Sequence, residues 1–363
     1  MNGLLPEGFH DRLPPHADAA AALEARVLDV ARLYGYERVD PPLAEFEASL
    51  GARLKAASAK DAVRFTDPVS RATLAIRPDI TAQIGRIAAT RMAHHPRPVR
   101  LSYAGPVLKL RASELRPERA MRQIGCELIG RDGVAAACEI VTVAVAALEA
   151  AGVPGLALDF TLPDLVEQLA PGMNGDRLAA LRERLDAKDA AGVAAIDPAF
   201  LPLIEAAGPF DAAVERLRAH DAKGALTSRL DGLAEVARAV AGRVALTLDP
   251  TERHGFEYQS WIGFSLFARG VRGEIGRGGS YSVIGARGDE PAVGFSLYAD
   301  PILDAGLATG DRRRLFLPIG TDPAIAGRLR AQGWVAVAAL DADDSAGAQL
   351  CTHILRDGEP VAI

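Results

Sequence analysis

The chain has 363 residues, 49% of them hydrophobic and 24% charged, which suits a soluble globular protein with one large domain and a smaller one. A formal net charge of −6 excludes a generally basic surface for nucleic acid. Cys126, Cys138 and Cys351 are odd in number and far apart, which excludes a disulfide framework or zinc cluster and fits a reducing cytoplasm; no signal-peptide pattern opens MNGLLPEGFHD, and no apolar run reaches the roughly 20 residues of a membrane span.

In chain order, the proline-rich residues 4–15 read as an extended leading segment. Asp18 is expected to cap a helix running to about Tyr34, with Leu23, Val27, Val30 and Ala31 on one face and Gly35 as its stop. Tyr36 to Val39 reads as a strand ended by Pro41-Pro42, and Arg64–Asp67 with Thr73–Arg77 as a hairpin. Ile80 to Met92 and the almost purely apolar Ala135 to Ala151 read as helices, and Gly155 to Thr161 as a strand. From about 173 to 242 the composition turns alanine-rich, with charges three and four apart, which predicts a helical insertion with a solvated face. Strands are then expected at 244–248, 256–268, 272–276 and 292–297, with glycine-rich turns between them. Gly276-Arg277-Gly278-Gly279 is the one phosphate-cradle candidate, but it lies outside any strand–loop–helix unit. The expected domain boundary falls at 310/311, followed by a short α/β unit whose last strand lies near His353 to Leu355.

Two stretches carry chemistry. Leu101 to Gly130 reads as a strand, a basic loop over Arg111–Arg119, and a returning strand with period-2 alternation. On the return, Ile124, Cys126 and Leu128 share one face. Gln123, Gly125, Glu127 and Ile129 share the other, which puts an amide and a carboxylate roughly 13 Å apart. Upstream, Leu74 to Arg86 ends a strand at Arg77, is held extended by Pro78, and opens a helix with Asp79 as the expected N-cap.

Together these stretches resemble the core of the class II aminoacyl-tRNA synthetases, specifically histidyl-tRNA synthetase. In that family an Arg-Pro-Glu-Gly-Thr stretch and a Gln-Ile-Gly-x-Glu strand form the histidine pocket. Here they stand as Arg77-Pro78-Asp79-Ile80-Thr81 and Gln123-Ile124-Gly125-Cys126-Glu127. The resemblance runs in order over about the first 300 residues, from GFHDRLPP to Pro291-Ala292-Val293-Gly294-Phe295. It implies an α+β fold, an antiparallel sheet flanked by helices, and self-association through the first helix, its following strand and Pro41-Pro42-Leu43. It also implies a histidine site at Asp79, Thr81, Gln123 and Glu127, with Tyr258 and His254 from the segment that replaces the family's Arg-Gly-Leu-Asp-Tyr-Tyr. An amino acid needs acceptors for its ammonium group and partners for its ring, and Glu127 can accept from an imidazole N–H.

The catalytic pattern of that family is broken. The second-motif arginine corresponds to Gly105, the third falls near Pro301, and no arginine lies within Val293 to Leu303. Each lost charge donor of this kind costs about 3–4 kcal/mol in a transition state. The residues left after 310 are fewer than an anticodon-binding domain needs. This combination resembles the ATP phosphoribosyltransferase regulatory subunits, paralogues of histidyl-tRNA synthetase. The resemblance implies no catalytic residue, no metal and no cofactor of its own. It implies a short-form catalytic subunit as partner and L-histidine as effector in the first step of histidine biosynthesis, with nucleic acid and membrane unlikely partners. The competing readings are a truncated histidyl-tRNA synthetase and a synthetase-like tRNA- or amino-acid-sensing module.

Overall fold

The computed structural model describes residues 4–51, 62–111, 118–253, 259–285, 288–307 and 313–363. Chain contacts divide into two units, one ending at Ala308 and one beginning at Thr309. The first is a mixed α+β unit organised on a nine-stranded sheet.

The first helix, α1 (His16–Leu33), starts two residues before the expected cap, so Asp18 lies in its first turn rather than at its N-cap, where it still complements the helix dipole. Ala19, Ala20, Leu23, Val27 and Ala31 are its buried stripe. Gly35, at φ +84°, turns the chain out of the helix, as only a residue without Cβ does freely. Strand β1 (Glu37–Arg38) follows and pairs in parallel with Leu101 and Ser102. A small sheet is built from β2 (Ala44–Phe46), β3 (Val63–Thr66) and β4 (Thr73–Ile76), in the order β2-β4-β3, with the short helix α2 (Glu47–Gly51) after β2. Then come α3 (Thr81–Thr90), β5 (Val99–Leu108), β6 (Ala120–Ile129), α4 (Val134–Ala150) and β7 (Leu156–Thr161).

Helices α5 (Leu165–Leu169), α6 (Gly175–Asp186), α7 (Ala190–Ile196) and α8 (Leu201–Glu205) lead to β8 (Gly208–Pro209), α9 (Phe210–His220) and α10 (Thr227–Ala239). Their apolar residues, among them Leu181, Leu185, Leu203, Leu217 and Leu233, join the core formed by α1, α4 and one face of the sheet. Strand β8 adds an edge to that sheet, so these helices share the sheet's core rather than packing on their own. Each such leucine taken out of water contributes about 1.5–3 kcal/mol.

The unit closes with β9 (Ala245–Leu248), β10 (Gln259–Ala268), β11 (Gly276–Val283), β12 (Glu290–Tyr298) and α11 (Ala299–Asp304). The large sheet runs β1-β5-β6-β12-β11-β10-β7-β9-β8, antiparallel from β5 through β7. The strand expected at 272–276 is instead the turn before β11. The glycines expected in a turn, Gly276, Gly278 and Gly279, stand inside that strand. A Cβ on Gly278 would lie 2.3 Å from the Phe264 ring, so close strand packing, not a phosphate loop, requires the glycine.

The second unit orders β13 (Arg314–Leu317), α12 (Pro323–Ala331), β14 (Val335–Ala338), β15 (His353–Arg356) and β16 (Glu359–Ala362) as a four-stranded β14-β13-β15-β16 sheet. It has one strand more than expected: β16 returns antiparallel on β15 through Asp357 and Gly358, both at positive φ.

Candidate functional site

The two faces of β6 meet different surroundings. Ile124, Cys126 and Leu128 enter the core shared with α1 and α4, while Ile129 joins the cluster under α3. The polar face is not solvated: Gln123 is 0% and Glu127 1% exposed. Burying an amide and a carboxyl costs several kcal/mol unless they are bonded, and here every oxygen and the amide nitrogen has a partner.

The turn before α3 supplies one wall. Asp79 is not the N-cap, a position taken by Ile80. Its Oδ1 instead accepts from the Thr81 N–H at 2.7 Å, and its Oδ2 accepts from Gln123 Nε2 at 2.8 Å. Gln123 Nε2 also donates to Ser296 Oγ (2.7 Å), and its Oε1 accepts from the Ile80 N–H (2.9 Å). Glu127 accepts from two tyrosines, Tyr103 on Oε1 at 3.0 Å and Tyr281 on Oε2 at 2.6 Å. The Tyr103 hydroxyl also meets Ser296 Oγ at 2.9 Å and Thr81 Oγ1 at 3.3 Å. Asp79, Thr81, Gln123 and Glu127, the four sequence-predicted residues that are described, thus belong to one hydrogen-bonded group. His254 and Tyr258 lie outside the described residues.

Burial pushes the Glu127 carboxyl up to about 8; Asp79 adds to the rise, while the bonds from Tyr281, Tyr103 and Thr81 oppose it. Burial also raises the Tyr103 hydroxyl well above its ordinary value, with Glu127 next in effect. Near neutral pH the carboxyl therefore carries a proton.

Strand register explains the glycines of the site. Tyr103 and Ser296 both pair with Gly125, and a Cβ there would lie 2.4 Å from the Tyr103 hydroxyl. Beside Glu127 the cross-strand row continues through Gly294, Gly279 and Gly263. Three side chains are missing in succession along this row, and neighbouring side chains take up the space over Gly294 and Gly279. Glu127 leans into one end: a Cβ on Gly294 would fall 1.6 Å from its Oε2. Gln259 leans over Gly279 in the same way at 2.1 Å, and its buried Oε1 has no hydrogen-bond partner.

Arg77 shows why position 105 is glycine. Its guanidinium is buried and donates to the carbonyls of Pro106 and Pro41 and to Gln83 Oε1. A Cβ on Gly105 would sit 2.2 Å from Arg77 Nη2. Near Pro301, where the third arginine was sought, the buried Asp300 instead pairs with Arg12 and accepts from the Arg122 N–H. A cavity of about 310 Å³ opens elsewhere, beside Asp132, Arg229, Ser260 and Trp261, and borders none of the predicted residues. Among the described residues no group of three or more His, Cys, Asp or Glu could hold a metal ion, and no helix is long and apolar enough to cross a membrane.

Sequence reasoning missed Tyr103, Tyr281, Ser296 and the glycine row. The available signal was pairwise: once β5, β6, β12 and β11 are placed side by side, polar residues and glycines fall on one face, but register cannot be read from a single strand.

The family model described as histidyl-tRNA synthetase matches residues 8–302. A protein of Rhodospirillum centenum named ATP phosphoribosyltransferase regulatory subunit is 44% identical over 98% of this chain and 95% of its own length. The chain belongs to this histidyl-tRNA synthetase-like family of ATP phosphoribosyltransferase regulatory subunits. A second protein of that name, from Paramagnetospirillum magneticum, is 43% identical over 97% of this chain and 96% of its own. Among solved structures, an ATP phosphoribosyltransferase regulatory subunit/histidyl-tRNA synthetase from Bacillus halodurans superposes with a TM-score of 0.79 at 21% identity, covering 96% of each chain; this likeness establishes the class II synthetase-like fold.

Proposed function

We propose that this chain is the non-catalytic regulatory subunit of a cytoplasmic ATP phosphoribosyltransferase, needed by a short catalytic subunit and carrying histidine feedback on the first step of histidine biosynthesis. The observation that carries this reading is the near full-length similarity to proteins of that name, and the site is consistent with it. Acceptors for an amino acid are gathered at Asp79, Thr81, Gln123 and Glu127. Gly105, which the resemblance sets at the adenylating arginine, lies against Arg77, and no arginine occurs within Val293 to Leu303. His254 and Tyr258, which precede Gln259 in the chain, complete the proposed histidine-binding set.

Feedback of this kind requires histidine to bind the active and inactive arrangements of the complex with different affinity. Self-association through the synthetase-like surface is part of the proposal, and the exposed Leu33, Tyr34 and Leu43 at the end of α1 and before β2 support it. The domain division at about 310 and a helical insertion over about 173–242 are proposed as the functional units.

Reconstitution tests the reading. Phosphoribosyl-ATP formation by the short catalytic subunit should require this chain and fall when histidine is added. A catalytic subunit equally active alone would overturn it. Histidine-dependent pyrophosphate exchange by this chain would instead revive the truncated-synthetase reading.

A further inference from the structure

The edge of a β-sheet presents a row of unpaired backbone groups, and soluble proteins blunt it with charge, proline or a very short strand. Among the described residues three sheets end in six edge strands. The large sheet ends in two residues on either side, Glu37-Arg38 in β1 and Gly208-Pro209 in β8. The edges of the small sheet carry a charge each, Glu45 in β2 and Arg64 in β3. In the second unit β16 carries Glu359 and Pro360. The Ile363 N–H donates to the Thr352 carbonyl, which puts 359, 361 and 363 on the β15 side and turns Pro360 outward, where its missing N–H takes no bond from the sheet. Strand β14, Val335-Ala336-Val337-Ala338, alone has neither charge nor proline.

The β14 backbone is laid out to receive a further strand. The N–H groups of Val335 and Ala339 donate to the carbonyls of Arg313 and Leu317 along β13. Odd-numbered residues therefore bond inward, and the N–H and C=O of Ala336 and Ala338 point to the open side. Among the described residues no backbone hydrogen bond from outside the sheet reaches either alanine. The flanks carry opposite charge: the exposed Arg328 and Arg330, in the last turn of α12, precede the strand, and the exposed Asp341 and Asp343 follow it. Val335 is 49% and Leu340 91% exposed.

We propose that β14 pairs antiparallel with β14 of a second copy about a two-fold axis at Val337, joining two second units through one continuous sheet. The charges select this occupant. A two-fold axis sets the basic approach to one strand against the acidic exit of the other, at both ends at once, whereas a parallel copy would set like against like. Ala336 then exchanges both backbone bonds with Ala338 of the second copy, and Val337 faces its own equivalent in a non-hydrogen-bonded pair. Leu340 comes opposite Trp334 of the second copy. This contact belongs to the second unit, so it is distinct from self-association through α1 and Pro41-Pro42-Leu43, and it does not depend on the regulatory reading.

Sedimentation of the full chain tests it. The mass of the smallest species should double reversibly as concentration rises over about a hundredfold range. Ala338→Pro removes one outward N–H and none of the bonds to β13, so circular dichroism and thermal stability should match the parent while the midpoint of the doubling rises at least about tenfold. Cross-linking reads the register. A non-hydrogen-bonded antiparallel pair sets its Cα atoms about 4.5 Å apart, within the roughly 4.4–6.8 Å that a disulfide spans. Val337→Cys in a Cys351→Ala background should therefore close into a covalent dimer under mild oxidation, and Val335→Cys, which lies opposite Ala339, should not. A parent that shows no doubling, a doubling that Ala338→Pro leaves in place, or cross-linking at 335 rather than 337 overturns the proposal. An Ala338→Pro variant that still doubles but no longer assembles with the catalytic subunit also overturns it and gives the edge to that partner.

Discussion

Glu127→Gln converts the buried carboxyl into a neutral group of the same shape, and its consequence should be readable in the pH dependence of stability. The carboxyl titrates near its ordinary value of 4.5 in the unfolded chain and at about 8 in the folded one. Between those values the folded state holds a proton that the unfolded state has released, so stability falls as pH rises. Glu127's contribution is fully present below about 4.5 and is lost as pH passes through about 8. The slope is roughly 1.4 kcal/mol per pH unit, and the whole interval amounts to on the order of 4–5 kcal/mol. The substituted amide keeps one acceptor for Tyr103 or Tyr281 and offers the other hydroxyl a donor, so the pocket stays filled. Urea unfolding of both proteins at pH 5.5, 6.5, 7.5 and 8.5, followed by Trp261 fluorescence in a Trp334→Phe background, isolates the large unit. The variant should gain on the parent with each step up in pH. Stabilities that stay parallel across the series would refute the buried, protonated carboxyl.

Gly105→Arg should not confer adenylation. Its Cβ meets Arg77 Nη2 at 2.2 Å, so the chain should lose about 2 kcal/mol or more in urea unfolding and show no pyrophosphate exchange; a stable, exchanging variant would contradict this. Gly294→Ala puts a methyl where Glu127 Oε2 stands and 2.7 Å from the Cys126 carbonyl oxygen. It should cost about 1–3 kcal/mol in stability, and calorimetric titration should find histidine binding weakened. Arg12→Met strips the buried Asp300 carboxylate of its ion-pair partner and leaves it the Arg122 N–H. A loss of about 3 kcal/mol should follow in the same unfolding assay.

The alternation along 123–129 was legible from sequence because a strand with a core on both faces still separates its side chains by period two. The burial of its polar face was not, because that depends on which strand lies opposite. Gly125 reads locally as a weak strand residue, and only its pairing with Tyr103 and Ser296 shows why no side chain fits. Asp79 was misplaced as a cap for the same reason: an aspartate before a helix has a local use, but here one of its oxygens turns to Gln123, 44 residues away. The misplaced strand at 272–276 shows the reverse error, since glycine density signals a turn unless a phenylalanine such as Phe264 lies over the strand. Helical periodicity over 173–242 correctly gave helices, but it could not reveal that their leucines complete the same core as α4.

The polar groups of the scaffold are held in different ways at different places. At position 105 there is no side chain, and the neighbouring Arg77 is held by two carbonyls and an amide. Near Pro301 the buried Asp300 carboxylate is paired with Arg12, so its charge is already met within the chain. Around Gln123 and Glu127 the polar groups are bonded to one another. Such a network is costly to keep, since replacing it with apolar residues of equal volume often stabilises a core. Its acceptors can exchange internal partners for those of a ligand, which is what the proposed histidine site requires.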